Sequence, residues 1–142
     1  MANAHSIALL AVAGALVAGC GGSGGARLTA AQLASQGTAI CNQAGAAERA
    51  VAGPNAVSAL PPIVTRELTQ LDKLSAPAGE QGSYATLLAD FSQLNTLLQS
   101  LSSSIAHTGS APPEILSRGR ELAGRATAVA GSLGLEACTA PH

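Results

Sequence analysis

The sequence predicts an all-α domain, folded as an antiparallel up-down four-helix bundle. Three observations predict it. Four segments repeat apolar residues at helical spacing, and none alternates with the period of two that a half-buried strand requires. Proline and glycine punctuate the chain at Gly53-Pro54, Pro61-Pro62, Pro77 to Gly82 and Gly109 to Pro113, cutting it into pieces of helix length. The connections between those pieces are short, and short loops between amphipathic helices make antiparallel neighbours.

The first helix opens at Thr29-Ala30-Ala31-Gln32, a capping box, with Leu28 and Leu33 placed as a hydrophobic staple. Its stripe is Leu33, Ile40, Ala44, Ala47 and Val51, with Cys41 beside it, and Gly53-Pro54 ends it. The second is expected to start near Pro61-Pro62, because first-turn N–H groups have no intrahelical partner and proline costs nothing there. Val64, Leu68, Leu71 and Leu74 form its apolar face. The third is the strongest pattern. Tyr84, Leu87, Phe91, Leu94, Leu98, Leu101 and Ile105 make a heptad seam, widened by Leu88 and Leu97, and Gly109 stops it. The fourth opens at Ser110 with Pro112, Pro113 and Glu114 in its first turn. Its seam is Ile115, Gly119, Leu122, Ala126, Val129 and Leu133. Glu114–Arg118 and Glu121–Arg125 are placed as i,i+4 pairs. Gly134 and Leu135 fit a Schellman ending, with Leu135 packing back near Val129 and Ala130. Many core positions are Ala or Gly, so the first and fourth helices are expected to approach closely.

Length and charge narrow the function. The 142 residues allow one domain at most. Formal net charge is -1, with no basic face to displace counterions from phosphates, which excludes nucleic-acid binding. Charged residues are 11% of the chain, too few for a disordered acidic or basic tail.

The N-terminus has a different character. Ile7 to Val17, IALLAVAGALV, is uninterrupted by any polar residue. It is too short to span a bilayer, which needs about 20 residues, and it has the length of a secretory h-region. The preceding MANAHS carries no Lys or Arg, only His5 and the chain amine. The run closes on Leu16-Val17-Ala18-Gly19-Cys20, an aliphatic residue and two small residues before a cysteine. This resembles the lipobox of bacterial lipoproteins. The resemblance implies a signal peptide over 1–19, cleavage before Cys20, and a diacylglyceryl group on the Cys20 thiol. Gly21-Gly22-Ser23-Gly24-Gly25 continues as a flexible tether, which with Cys20 covers 20–28. Gly19 to Gly24 formally fits GxGxxG, but it follows no strand and opens no helix, so it is not a dinucleotide loop.

There are three cysteines, Cys20, Cys41 and Cys138. With Cys20 carrying lipid, the other two remain as one pair, and export puts them where disulfides persist. The full expectation is therefore a four-helix bundle over 29–138, pinned by a Cys41–Cys138 disulfide, with a tail over 139–142. Lipobox, Gly-rich tether, a helix carrying AIC and a C-terminal LGLEAC together are similar to small exported helical lipoproteins of high-GC, actinobacterial-type bacteria. That group carries no assigned activity across.

Chemistry is sparse. His5 leaves with the signal, His107 falls at a helix end where it answers the dipole, and His142 is terminal. No ExxH pair builds a di-iron site and no GxSxG elbow is present. Cys41 and Cys138 lack partners at metal-ligand spacing. Arg118, Arg120 and Arg125 read as a solvated face. No catalytic residue, metal ligand or cofactor is expected. The expected protein is a non-enzymatic binding or scaffolding module at the extracytoplasmic side of the cell membrane. Its partners are membrane lipid through the acylated Cys20 and an envelope protein. The alternative is a carrier of a small apolar ligand between the helices.

Overall fold

In a computed structural model of the protein, residues 26–51, 53 and 56–138 are described. The expected signal over 1–19, Cys20 and the tail over 139–142 lie outside the described residues. Within them the fold is all-helical with no strand: α1 (Ala30–Ala50), α2 (Ala56–Leu71), α3 (Gln81–Thr108), α4 (Pro113–Ser132) and a terminal 3₁₀ turn, Glu136–Cys138. No described helix is long and apolar enough to cross a membrane.

The start of α1 follows its sequence. The Thr29 N–H donates to Gln32 Oε1 at 2.9 Å, and the Gln32 N–H donates to Thr29 Oγ1 at 3.2 Å. Two orphan donors of the first turn are thereby satisfied reciprocally. Just before the cap, the Leu28 N–H donates to the Ser75 carbonyl at 2.9 Å, which ties the incoming chain to the loop after α2. The buried face is Leu33, Gly37, Cys41, Ala44 and Gly45. Ala47 and Val51, expected to continue it, are only half-buried.

Two expectations about α2 and α4 are corrected. α2 begins at Ala56, not at the double proline, and runs through Pro61 and Pro62. Those rings remove the donors that would reach the carbonyls of Val57 and Ser58. Both carbonyls belong to the first turn of a helix that continues through the two prolines. At α4, Ser110 caps nothing. Pro112 is the N-cap, in extended conformation, and Pro113 is the first helical residue. Its fixed φ suits that position and its missing N–H is an orphan in any case.

The helix ends behave as expected. Gly109 closes α3 in the left-handed region at φ 71°, its N–H on the Ile105 carbonyl. Gly134 does so for α4 at φ 70°. The Leu135 N–H reaches the Ala130 carbonyl at 2.9 Å and the Gly134 N–H reaches Gly131 at 3.2 Å, the two bonds of a Schellman motif.

Packing is serial. α1 meets α2, α2 meets α3 and α3 meets α4. Among the described residues α4 makes no backbone approach to α1, contrary to the close contact expected from their small residues. The terminal turn fills that position, touching α4 on one side and α1 on the other. Leu33, Leu71, Leu87, Leu122 and Leu135 are essentially inaccessible. The reason lies at Gly37. A Cβ there would overlap Leu135 Cδ2. The missing side chain makes a socket on α1, and Leu135, thrown back by the Schellman turn, fills it. A leucine does what a direct helix contact was expected to do.

Polar groups tie the interior registers. The Tyr84 hydroxyl donates to the Leu71 carbonyl at 2.7 Å, and burial, then Asp72, pushes its pKa up to about 12. Asn95 Nδ2 donates to Thr65 Oγ1 at 2.9 Å. The i,i+4 pairs expected on α4 are not those formed. Arg118 faces Glu121 at 3.7 Å, both well exposed, which contributes little. Arg125 leaves Glu121 and donates to both oxygens of Asp90 on α3. The Asp90 carboxylate is buried, and its hydrogen bonds and charge hold the Arg125 guanidinium firmly protonated. A buried carboxylate needs a cation more than an exposed Glu121 does.

Candidate functional site around the disulfide

Cys41 sits at the middle of α1, on the face that carries Gly37 and Ala44. Cys138 ends the terminal turn, its N–H on the Leu135 carbonyl at 2.9 Å. The Leu135–Gly37 lock sets the distance between them. The two cysteines stand at disulfide distance, 5.2 Å apart at Cα and 97 residues apart in sequence. That separation lies within the ordinary range for a bridged pair, so the bond needs no backbone movement. The expected partners Cys41 and Cys138 thus stand at disulfide distance, at the one interface among the described helices that lacks direct helix–helix contact.

A third group joins them that sequence reasoning does not single out. Glu67, on α2, is 8% exposed, and one of its carboxyl oxygens and the two sulfurs all lie within 4.8 Å of one another. Burial, and secondarily the charge of Glu48 on α1, pushes the Glu67 pKa up to about 7. No salt bridge among the described residues reaches it. The signal was its register. Position 67 falls three residues after Val64 and four before Leu71, inside the apolar face of α2. An acid at that register is largely buried. Asp90 carries the same signal on the α3 seam, three residues after Leu87 and four before Leu94.

Cys41, Glu67 and Cys138 form the one group of three possible metal ligands that converges among the described residues. Joined as a disulfide, the sulfurs are not thiolates and do not ligate, so the trio is not a metal centre in this state. His107 lies at the exposed end of α3 with Nδ1 2.7 Å from the Ser103 carbonyl. A surface groove of about 360 Å³ lies near the entry of the chain, lined by Arg27, Asp72, Ser75, Gln81, Tyr84 and Leu88 among others. It opens to solvent at the rim of the helices. Cys20, the expected lipidation residue, lies outside the described residues.

No protein-family model, curated protein or solved structure matches the chain.

Proposed function

We propose that this chain is an exported lipoprotein whose helical domain is held at the extracytoplasmic face of the cell membrane and works by binding or scaffolding, without catalysis. The observation that carries this reading is Val17-Ala18-Gly19-Cys20 at the end of an eleven-residue apolar run. Residues 1–19 would be removed and Cys20 would become the acylated first residue. One acyl chain anchors weakly, whereas two or three hold a protein stably. Between Cys20 and Leu28 the extended chain spans at most about 29 Å, so the domain would ride close to the lipid headgroups.

Two features support the reading. Pairing of Cys41 with Cys138 leaves Cys20 as the odd thiol, which suits a cysteine destined for lipid. A disulfide also suits an oxidising compartment outside the cytoplasm. The helical domain is read as antiparallel and up-down. Tyr84, early in α3, bonds Leu71 at the end of α2, while Asn95, further on, bonds Thr65 further back. That ordering supports an antiparallel reading of α2 and α3.

Metabolic labelling with a clickable fatty acid tests the anchor. The wild-type chain is expected to take label and to sediment with membranes, and Cys20→Ala to lose both. Wild-type protein without label would contradict the reading.

A further inference from the structure

Glu67 has no part in an anchored binding module. Burying an acid with no cation beside it is costly, and a neutral side chain would pack there more cheaply. Its position against two bonded sulfurs gives it a use. We propose that the Cys41–Cys138 disulfide is a redox centre that exchanges with small dithiols, and that Glu67 gives and takes the proton of the Cys41 sulfur.

The asymmetry of the two cysteines sets the direction. Cys41 is wholly inaccessible, while Cys138 is 8% exposed and lies on the last turn of the described chain. Both are buried, and Cys138, the less enclosed of the two, is assigned as the sulfur that an incoming thiolate attacks. The S–S bond breaks, a mixed disulfide forms on Cys138, and the electron pair departs on Cys41 Sγ. A thiolate at that buried position is strongly disfavoured unless it is protonated. The Glu67 carboxyl, whose oxygen lies within 4.8 Å, supplies the proton through one intervening water and becomes a carboxylate. The second thiolate of the reductant then attacks the mixed disulfide and leaves as the oxidised dithiol. Cys138 departs as a thiolate, and it and Glu67 each take a proton from water. The dithiol released two protons to water on ionising, so protons balance, and its two electrons reside in the two new thiols. In reverse, the Glu67 carboxylate takes the Cys41 proton and frees the nucleophile.

Other groups nearby do not serve. The Gly37 carbonyl lies 4.0 Å from Cys138 Sγ and can only accept. Glu48 on α1 acts on Glu67 through its charge. Glu136 on the terminal turn is exposed, and Asp90 on α3 is held by Arg125. A carboxyl that titrates near neutral pH, as Glu67 does, is matched to both directions of transfer.

The test is the rate at which dithiothreitol reduces the folded, oxidised full chain, read by alkylation and mass, between about pH 6 and about pH 8, with each rate divided by the concentration of the attacking thiolate (the singly ionised dithiol). The wild-type normalised rate is expected to fall about tenfold or more as pH rises through 7. Glu67→Gln, which cannot donate as an acid, is expected to be slow at both ends and flat. Glu67→Asp is expected to keep the inflection. A flat wild-type profile overturns the proposal whatever the variants do, as does an identical profile in Glu67→Gln. A wild-type rate that stops depending on dithiothreitol and equals the global unfolding rate overturns it too, because the bond then opens only when the domain unfolds.

Discussion

Removing the disulfide while keeping the volume close, as in the double variant Cys41→Ala/Cys138→Ala, should remove a large part of the domain's stability. The bond closes a loop over a sequence separation of 97 residues. In the chain-entropy model such a loop contributes about 4.7 kcal/mol by restricting the unfolded chain. The structure offers no reason to discount that much, since the Cα separation is ordinary and the flanking turn is locked by Leu135. Losing the buried Cys41 sulfur adds up to about 1 kcal/mol for imperfect repacking. Urea unfolding at pH 6 should show a loss of about 5–6 kcal/mol, with a steeper m-value because the unfolded chain is no longer cross-linked. Small domains have roughly 5–15 kcal/mol in total, so this loss is a large share of what holds the domain folded, and exchange is best followed at low temperature. Hydrogen exchange should then localise the damage. The amides of Leu135 and Cys138, bonded to the Ala130 and Leu135 carbonyls, should lose protection before those at the centre of α3. A loss below about 1 kcal/mol, or uniform loss of protection, would refute the idea that this bond closes the ring of helices.

Three other perturbations are informative. Gly37→Ala should cost about 1–2 kcal/mol, overpacking offset in part by better helix propensity, and Leu135→Ala made in the same chain should cost less than it does alone; additive effects in a double-mutant cycle would mean the socket is not real. Glu67 has a folded pKa of about 7 against 4.5 unfolded, so the folded state holds the extra proton between those values and stability falls as pH rises through them, by up to about 3 kcal/mol above pH 7. Glu67→Gln should flatten that dependence in urea titrations, and an unchanged slope would show that Glu67 is not the source. Arg125→Gln should lower the Tm clearly, because it leaves the buried Asp90 carboxylate without its cation, while Arg120→Gln on the exposed face should leave it nearly unchanged; equal effects would remove the argument for the inter-helix pair.

The four helices are legible in the sequence where local chemistry decides. The Thr29 capping box, the Gly109 stop and the Gly134-Leu135 Schellman ending depend on a few adjacent residues, and all three are found. The Cys41–Cys138 pair was legible by elimination once Cys20 was set aside. What was not legible depends on residues far apart. The Pro61-Pro62 pair looked like a boundary because proline removes donors. The helix nevertheless begins at Ala56, one turn earlier, which local sequence does not reveal. Arg125 had a suitable partner four residues away, and only packing shows that Asp90 is buried and holds it more strongly. Gly37 looked like one more small residue on a small-residue face, yet Leu135, nearly a hundred positions later, occupies it. Glu67 and Asp90 were the most informative misses. Both sit at apolar registers of their own helices, and an acid at such a register is itself a sign of burial.

The reading of this chain as an anchored, sulfur-stapled domain meets its most direct test in intact and peptide mass spectrometry of the processed protein extracted from membranes. The expected species begins at Cys20, carries acyl mass on that residue alone, and lacks two hydrogens across Cys41 and Cys138. A chain with a bare first residue, or one processed at another position, would contradict it.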